Sequence, residues 1–164
     1  TLYVADSHNR RIRAITVKAG AGGTLTSTVT TLAGNGKNAT VDGALKSASF
    51  RLPTAVFARG GDVYVADGDG KTIRRIGVDG LVSTFAGSGA PGATDGPGPK
   101  AQFSEPTTLV AGLAGQLLVA DKAGGVRTLA LSDTSCDDGK PCTVDSCDAK
   151  TGKCVFTAKA GACP

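Results

Sequence analysis

The sequence predicts an all-β chain of repeated four-stranded antiparallel units, followed by a small disulfide-rich module. The segment YVADSHNRRIRAI at 3–15 returns as YVADGDGKTIRRI at 64–76 and, more weakly, as LVADKAGGVRTLAL at 118–131. A fixed period of this size is typical of an architecture in which each repeat is one supersecondary unit. All five cysteines follow residue 135, which sets the last part of the chain apart.

Other landmarks recur in the same order, each 53 residues later: TLAG at 31–34 and TFAG at 84–87, the Asp-Gly pairs at 42–43 and 95–96, Phe50 and Phe103, and Pro53 and Pro106. One connection breaks the period. The first unit has TVKAGAGGTLTST at 16–28 where the second has only GVDGLVS at 77–83. We therefore expect a longer glycine-rich loop in place of the tight Asp79-Gly80 turn.

Each complete unit is predicted to hold four strands, which in the second unit are PTAVFARG, GDVYVAD, TIRRIGV and LVSTFAG. Valine, threonine and aromatic residues favour strands, and the Asp-Gly pair is a hairpin signal. Such a sheet buries too little surface alone, so neighbouring units must stack as the blades of a β-propeller. Counting gives three strands, four and three, with an inner strand expected before Thr1 and an outer strand after Leu131.

The pattern P-T-x-V … D-V-Y-V-A-D … I-R-R-I … V-S-T-F-A-G resembles the NHL-repeat β-propeller family, and the spacer DGxxxxAxF at 42–50 and 95–103 resembles its bacterial secreted members. The resemblance covers residues 1–131. It implies about 2.5 blades: part of a first blade at 1–50, a second at 51–103 and part of a third at 104–131. The third departs from the pattern, since one residue is lost between Asp121 and Val126.

The repeated polar residues are predicted to be scaffold rather than catalytic. An aspartate at a strand end accepts backbone N–H bonds of the following turn, and the arginines extend their stems along the sheet or pair with turn aspartates. The structural repeat positions are Asp6, Asp67, Asp121, Arg13, Arg74, Pro53, Pro106, Phe50 and Phe103.

A linker at 132–135 is predicted to precede a cysteine-rich module at 136–164. The cysteine spacings, with no histidine nearby, favour disulfides over zinc and hence an oxidising compartment. Five cysteines leave one thiol over, and their pairing stays open. The segment resembles the cysteine-rich repeat of slime-mould matrix and myxobacterial surface proteins. The predicted disulfide residues are Cys136, Cys142, Cys147, Cys154 and Cys163, and weak calcium candidates are Asp137, Asp138, Asp145 and Asp148.

The composition argues against several functions. The single histidine, His8, and the single glutamate, Glu105, leave little for acid–base catalysis or metal binding, and the NHL-like lyases need several histidines and a metal. We therefore expect no catalytic or cofactor residues in this chain. The net charge of +4 is spread out and aromatic residues make up 4%, which disfavours nucleic acid. No apolar stretch is long enough to span a bilayer.

The sequence thus predicts an extracellular or cell-surface binding or structural module, whose blades act as a protein or glycan interaction scaffold or as an assembly subunit. The alternative is a fragment of a propeller enzyme, lyase-like or hydrolase-like, with its catalytic residues outside this chain. A more distant alternative is an RNA-binding propeller. The expected partners are the remaining blades of a longer polypeptide or other copies of the chain, joined as a homo-oligomer or a filament.

Overall fold

The computed structural model describes residues 1–123 and 125–131, together with the backbone of residues 143–147 and 154–158. Within these ranges the protein is all-β, apart from three short 3-10 turns. The strands are β1 (Leu2–Asp6), β2 (Arg11–Ala19), β3 (Leu25–Ala33), β4 (Gly43–Ala44), β5 (Pro53–Arg59), β6 (Asp62–Asp67), β7 (Thr72–Ile76), β8 (Leu81–Ala86), β9 (Pro106–Ala111), β10 (Gln116–Asp121), β11 (Gly125–Ala130), β12 (Thr143–Cys147) and β13 (Cys154–Ala158).

The central sheet contains the four strands expected for a complete unit. They run in the order β5-β6-β7-β8, with every neighbouring pair antiparallel. A short fifth strand, β4, lies outside β8, because Gly43 and Ala44 of the preceding spacer pair with Val82 and Leu81. The spacer therefore completes the sheet of the unit that follows it in sequence.

The flanking units each form a three-stranded antiparallel sheet, β1-β2-β3 and β9-β10-β11. Their registers match the central sheet at the recurring strand-end aspartate: Asp6 pairs with Arg11 and Asp121 with Gly125, as Asp67 pairs with Thr72. None of the sheets within the described residues closes on itself. We refer below to units 1, 2 and 3 for the units that contain β1–β3, β5–β8 and β9–β11.

The long connection of unit 1 differs from the expected loop. Residues 16–28 mostly extend the hairpin, because β2 runs on to Ala19 and β3 begins at Leu25, with only a short turn between them. The β-branched residues at both ends of the insertion, Thr16 and Val17 in β2 and three threonines between 24 and 28, favour continued pairing. The extension projects away from the core, and residues 16–30 are all exposed.

The units stack face to face, and the two cores lie between them. Val63 and Val65 of β6 pack towards unit 1 with Ile12 and Phe50, whereas the alternate residues of β6 pack towards unit 3. The central sheet is thus buried on both faces. Hydroxyl groups link neighbouring units, since Ser7 Oγ in the turn after β1 donates to the Pro53 carbonyl at 2.7 Å and Thr54 Oγ1 of β5 donates to the Pro106 carbonyl at 2.9 Å.

The two tail strands, β12 and β13, form an antiparallel hairpin in which Cys147 lies opposite Cys154. The other predicted disulfide residues, and the calcium candidates Asp137, Asp138 and Asp148, lie outside the described residues; Asp145 is described only as part of β12. No helix in the described part of the chain is long and apolar enough to cross a membrane.

Candidate functional site

The guanidinium of Arg74, in the middle of β7, is completely buried. It donates to the carbonyls of Ser49 and Val41, both at 3.0 Å, and to Asp42 Oδ1 at 2.6 Å. Its Cζ lies 5.3 Å from the centroid of the Phe50 ring, a cation–π arrangement. Arg74 therefore connects the spacer at 42–50 to unit 2 through hydrogen bonds and the aromatic contact.

Unit 3 repeats this cluster. Arg127 donates to the carbonyls of Gln102 at 3.0 Å and Thr94 at 3.2 Å, pairs with Asp95, and lies 5.4 Å from the Phe103 ring centroid. The spacing DGxxxxAxF is thereby explained, because its aspartate and its phenylalanine meet one arginine of the following unit.

The hydrogen-bonded carboxylate partner of Arg74 is one that the sequence analysis did not name. Arg74 donates a hydrogen bond to the spacer aspartate Asp42, and its guanidinium lies at a longer distance from the strand-end aspartate Asp67. A signal for this partner was present, since Asp42 recurs as Asp95 at the same 53-residue interval that relates Phe50 to Phe103. Sequence periodicity identified the recurring residues without indicating which of them meet across the blades.

The strand-end aspartates also differ from the turn interpretation. Asp67 Oδ1 accepts the backbone N–H groups of Leu52 at 2.7 Å and Arg51 at 3.0 Å, and Asp121 Oδ1 accepts the N–H of Glu105 at 2.7 Å. These groups immediately precede Pro53 and Pro106. Each carboxylate therefore holds the chain as it enters the inner strand of its own sheet. The residue of unit 1 at this position, Asp6, does contact its turn, through Asn9 Nδ2 at 2.9 Å.

Asp67 lies fully buried at the end of β6. Burial raises the pKa of its carboxyl, while the N–H groups of Leu52 and Arg51 and the nearby Arg74 guanidinium act in the lowering direction. The Arg74 Nη1 to Asp67 Oδ2 distance is 3.9 Å, too long for a hydrogen bond. Of the two carboxylates near Arg74, those of Asp42 and Asp67, only Asp42 therefore accepts a hydrogen bond from it.

One face of unit 1, which we call the open face, is lined by Val4, Arg13, Ile15 and Val29, and it borders a cavity of about 440 Å³. Val4 and Val29 are 41% and 52% exposed. The residues at the same positions in unit 2, Val65 and Val82, are 0% and 1% exposed because unit 1 and its spacer cover them.

Arg13 shows the same difference. It lies partly exposed at the open face and donates to Thr31 Oγ1 at 2.8 Å, whereas Arg74 at the same repeat position is buried among carbonyls and a carboxylate. The open face therefore has the composition of a blade-to-blade contact.

A second cavity, of about 380 Å³, lies at the turn end of unit 2, and we call it the Thr72 pocket. Its lining consists of polar residues and glycines: Thr40, Arg51, Asp69, Gly70, Lys71, Thr72, Thr84, Gly87, Ser88 and Gly89. Two of its hydroxyls, Thr40 Oγ1 and Thr72 Oγ1, are buried and have no hydrogen-bond partner among the described residues. Such groups normally find a partner in protein, water or ligand.

The two residue types that were considered for catalysis lie in different units. His8 is exposed in the turn between β1 and β2, and Glu105 pairs with Lys122 Nζ at 3.0 Å where the chain enters β9. Among the residues that the structure describes, no group of three histidine, cysteine, aspartate or glutamate side chains could hold a metal ion.

The three antiparallel sheets, in contact through their inner strands, define an all-β protein consistent with part of a β-propeller. Residues 135–159 match the family model of the Dictyostelium (slime mold) repeat. That match covers the cysteine-rich tail alone and leaves the blade-containing part outside it. No curated protein matches the chain.

Solved bacterial structures share the fold of the blades. A protein of unknown function from Bacteroides thetaiotaomicron is 25% identical over 78% of this chain, with a TM-score of 0.64. Auxiliary nutrient binding proteins from the same species and from Bacteroides ovatus are each 24% identical over 77%, also with TM-scores of 0.64. The chain spans about a third of the length of these proteins, namely 32%, 33% and 33%.

Proposed function

We propose that this chain is a non-enzymatic, extracellular or cell-surface module whose NHL-type blades bind other repeat units and act as an interaction scaffold. The observation that carries the proposal is the open face. Val4 and Val29 are exposed at positions where unit 2 buries its valines. Exposed apolar patches on soluble proteins mark interaction surfaces.

The opposite end of the stack offers a complementary surface. Val110 of β9 and Val126 of β11 are 48% and 70% exposed, whereas Ile73, at the position of Val126 in unit 2, is fully buried. Two different apolar faces at the two ends of one stack favour head-to-tail contacts, which generate rings or filaments. We propose that the covering partner is a blade of the same repeat type, from the same polypeptide or from another copy.

The binding role has support at the level of the fold, since two of the solved structures that resemble these blades are nutrient-binding proteins. The surface location has support from the tail, whose match to the Dictyostelium repeat and dense cysteines favour an oxidising environment. Protein and glycan ligands for the scaffold both belong to this proposal.

The test is the association state of the 164-residue chain at micromolar concentration, measured by sedimentation velocity. We expect species larger than a monomer, and we expect the double variant Val4→Lys/Val29→Lys to shift them towards monomer, because two charges would be buried without partners. The matched control is Val17→Lys/Leu25→Lys, two exposed apolar residues of the extended hairpin.

The control variant should leave the association state unchanged, because residues 16–28 have no covered counterpart in unit 2. Circular dichroism checks that both variants keep their β-structure. A monomeric parent chain, or equal behaviour of the two double variants, would contradict the assembly role.

A further inference from the structure

The internal repeat shows what fills the position of the Thr72 pocket in the neighbouring unit. Arg11 of unit 1 holds the place that Thr72 holds in unit 2, since each pairs with the strand-end aspartate of its unit. The Arg11 guanidinium lies against two backbone carbonyls, with Nη2 3.3 Å from the Asn35 oxygen, just after β3, and Nη1 3.5 Å from the Asn9 oxygen of its own turn.

A glycine makes room for that guanidinium. A Cβ placed on Gly36 would lie 2.8 Å from Arg11 Nη2, which is closer than atoms approach without displacement. Unit 2 keeps the same backbone at the corresponding positions, with Gly89 in place of Gly36 and the carbonyls of Ser88 and Gly70 in place of those of Asn35 and Asn9. The space is therefore retained in unit 2 although the side chain that fills it has been shortened to threonine.

The shortened residue leaves acceptors in the pocket. Thr72 Oγ1 is buried without a hydrogen-bond partner, and the described residues provide no donor to the Ser88 carbonyl. The exposed carboxylate of Asp69 also lines the pocket. Acceptor groups left unpaired in a concave site favour a ligand that donates several hydrogen bonds.

We propose that the Thr72 pocket binds a guanidinium group carried by a ligand, in the position that Arg11 occupies within unit 1. The planar guanidinium presents five N–H donors, which suits two backbone carbonyls, a hydroxyl and a nearby carboxylate. The source is either a small guanidinium compound or an arginine side chain on a peptide. This ligand site is separate from the open face and does not depend on the assembly proposed above.

The competing ligand is an anion, because Arg51 and Lys71 lie on the pocket rim. The contacts of these two cations do not place them inside the pocket. Lys71 Nζ lies 3.4 Å from the Asp69 carbonyl, and Arg51 is exposed. The Ser88 carbonyl can only accept hydrogen bonds, and the two threonine hydroxyls can accept as well as donate, so a donor-rich cation satisfies all of these groups whereas an anion cannot.

Isothermal titration calorimetry with N-acetyl-arginine amide and with the peptide acetyl-Gly-Arg-Gly-amide tests the proposal. The neutral isostere, with citrulline in place of arginine, is the matched ligand control. We expect one site per chain and at least about tenfold weaker binding of the citrulline ligands, because the charge and the full set of donors are lost. Tighter binding of the peptide than of the amide would assign the arginine to a protein partner, and equal affinities would assign it to a small compound.

Two reciprocal variants locate the site. Thr72→Arg supplies the guanidinium in cis and should abolish binding, with an unchanged or higher melting temperature. Arg11→Thr opens the same space in unit 1 and should raise the stoichiometry from one site to two. If Thr72→Arg does not fold, Gly89→Ala replaces it, since its Cβ would stand where the guanidinium is expected.

Equal binding of arginine and citrulline ligands would overturn the proposal. So would inorganic phosphate binding in preference to arginine, or arginine binding that survives both Thr72→Arg and Gly89→Ala.

Discussion

Arg74 and Arg13 occupy the same place in successive units, yet they have different numbers of partners. Arg74 is buried with two carbonyls, a carboxylate and an aromatic ring around it, whereas Arg13 has one threonine hydroxyl. Removing the buried cation deletes three charged hydrogen bonds, whereas the Ser49 and Val41 carbonyls keep each other's backbone N–H groups and Asp42 keeps Thr84.

We therefore expect Arg74→Met to lower the free energy of unfolding by about 3 kcal/mol, because three hydrogen bonds from a charged donor and the contact with the Phe50 ring are lost. Arg13→Met, the matched control, should cost no more than about 1 kcal/mol, the value of one partly exposed hydrogen bond. Urea unfolding at equal protein concentration measures both. Similar losses in the two variants would show that Arg13 is as enclosed in solution as Arg74.

The buried carboxyl of Asp67 should make the free energy of unfolding depend on pH. Because burial raises the pKa of its carboxyl, the folded chain holds a proton there more tightly than the unfolded chain does. Its contribution to stability is therefore fully present below the unfolded pKa of about 3.9 and declines as the pH rises through the interval up to the folded pKa. Asp67→Asn cannot ionise, and its amide oxygen can still accept the N–H groups of Leu52 and Arg51.

The stability of Asp67→Asn relative to the parent should therefore increase as the pH rises through that interval and become constant above it. A series of urea titrations at different pH values, for both proteins, gives this difference directly. A relative stability that changes in the opposite direction would mean that the Arg74 charge and the N–H groups outweigh burial.

At the scale of the elements, a glycine ends units 1 and 2 at a point where strand and turn backbones come close. Gly87 follows β8 with φ +97°, and a Cβ there would lie 2.4 Å from the Lys71 carbonyl oxygen. Gly34 stands in the same relation to the Arg10 carbonyl in unit 1, at 2.6 Å. The final glycine of TLAG and TFAG is therefore required by steric contact as well as by its backbone angle.

Gly89 provides a matched control, because its φ is +79° but a Cβ there would meet nothing closer than 3.8 Å. We expect Gly89→Ala to cost about 1–2 kcal/mol for the left-handed backbone alone. Gly87→Ala should cost clearly more, since the Lys71 backbone must also move. Thermal and urea unfolding measure the stability of both variants. Equal decreases in the free energy of unfolding would show that the backbone near Lys71 moves without an energetic penalty.

At the scale of the whole molecule, we expect the blades and the tail to be stabilised in different ways. The blades bury apolar side chains between sheets, and unit 2 is covered on both sides. The tail has few apolar residues, and short segments of this kind usually depend on disulfides. Its hairpin register brings the backbones of Cys147 and Cys154 opposite each other.

We expect material produced in an oxidising compartment to contain two disulfides and one free thiol among the five cysteines. Alkylation of the denatured, unreduced protein followed by mass spectrometry should then find about one modified cysteine, or none where the fifth pairs with another chain. Peptide mapping should link Cys147 to Cys154. Four or five alkylated cysteines would refute the extracellular location.

The sequence by itself determined the strands and their order. Alternating residues, the Asp-Gly turn and the repeat period are local signals, so the four strands of unit 2 and the three strands of each flanking unit were predictable. The extended hairpin at 16–28 was not, because its glycines suggested a loop, whereas its threonines and Val17, which favour strand pairing, extend both strands.

Only the tertiary structure decided which repeated residues meet. Arg74 reaches Asp42 from 32 residues away, and Asp67 reaches back 15 residues to Leu52, across distances that no local pattern encodes. The same holds for the two candidate sites. The Thr72 pocket differs from the corresponding place in unit 1 because threonine stands where unit 1 has Arg11, and the open face differs from the corresponding face of unit 2 because no sheet among the described residues covers it. Periodicity reports which residues recur, whereas burial and partnership depend on what packs against each copy.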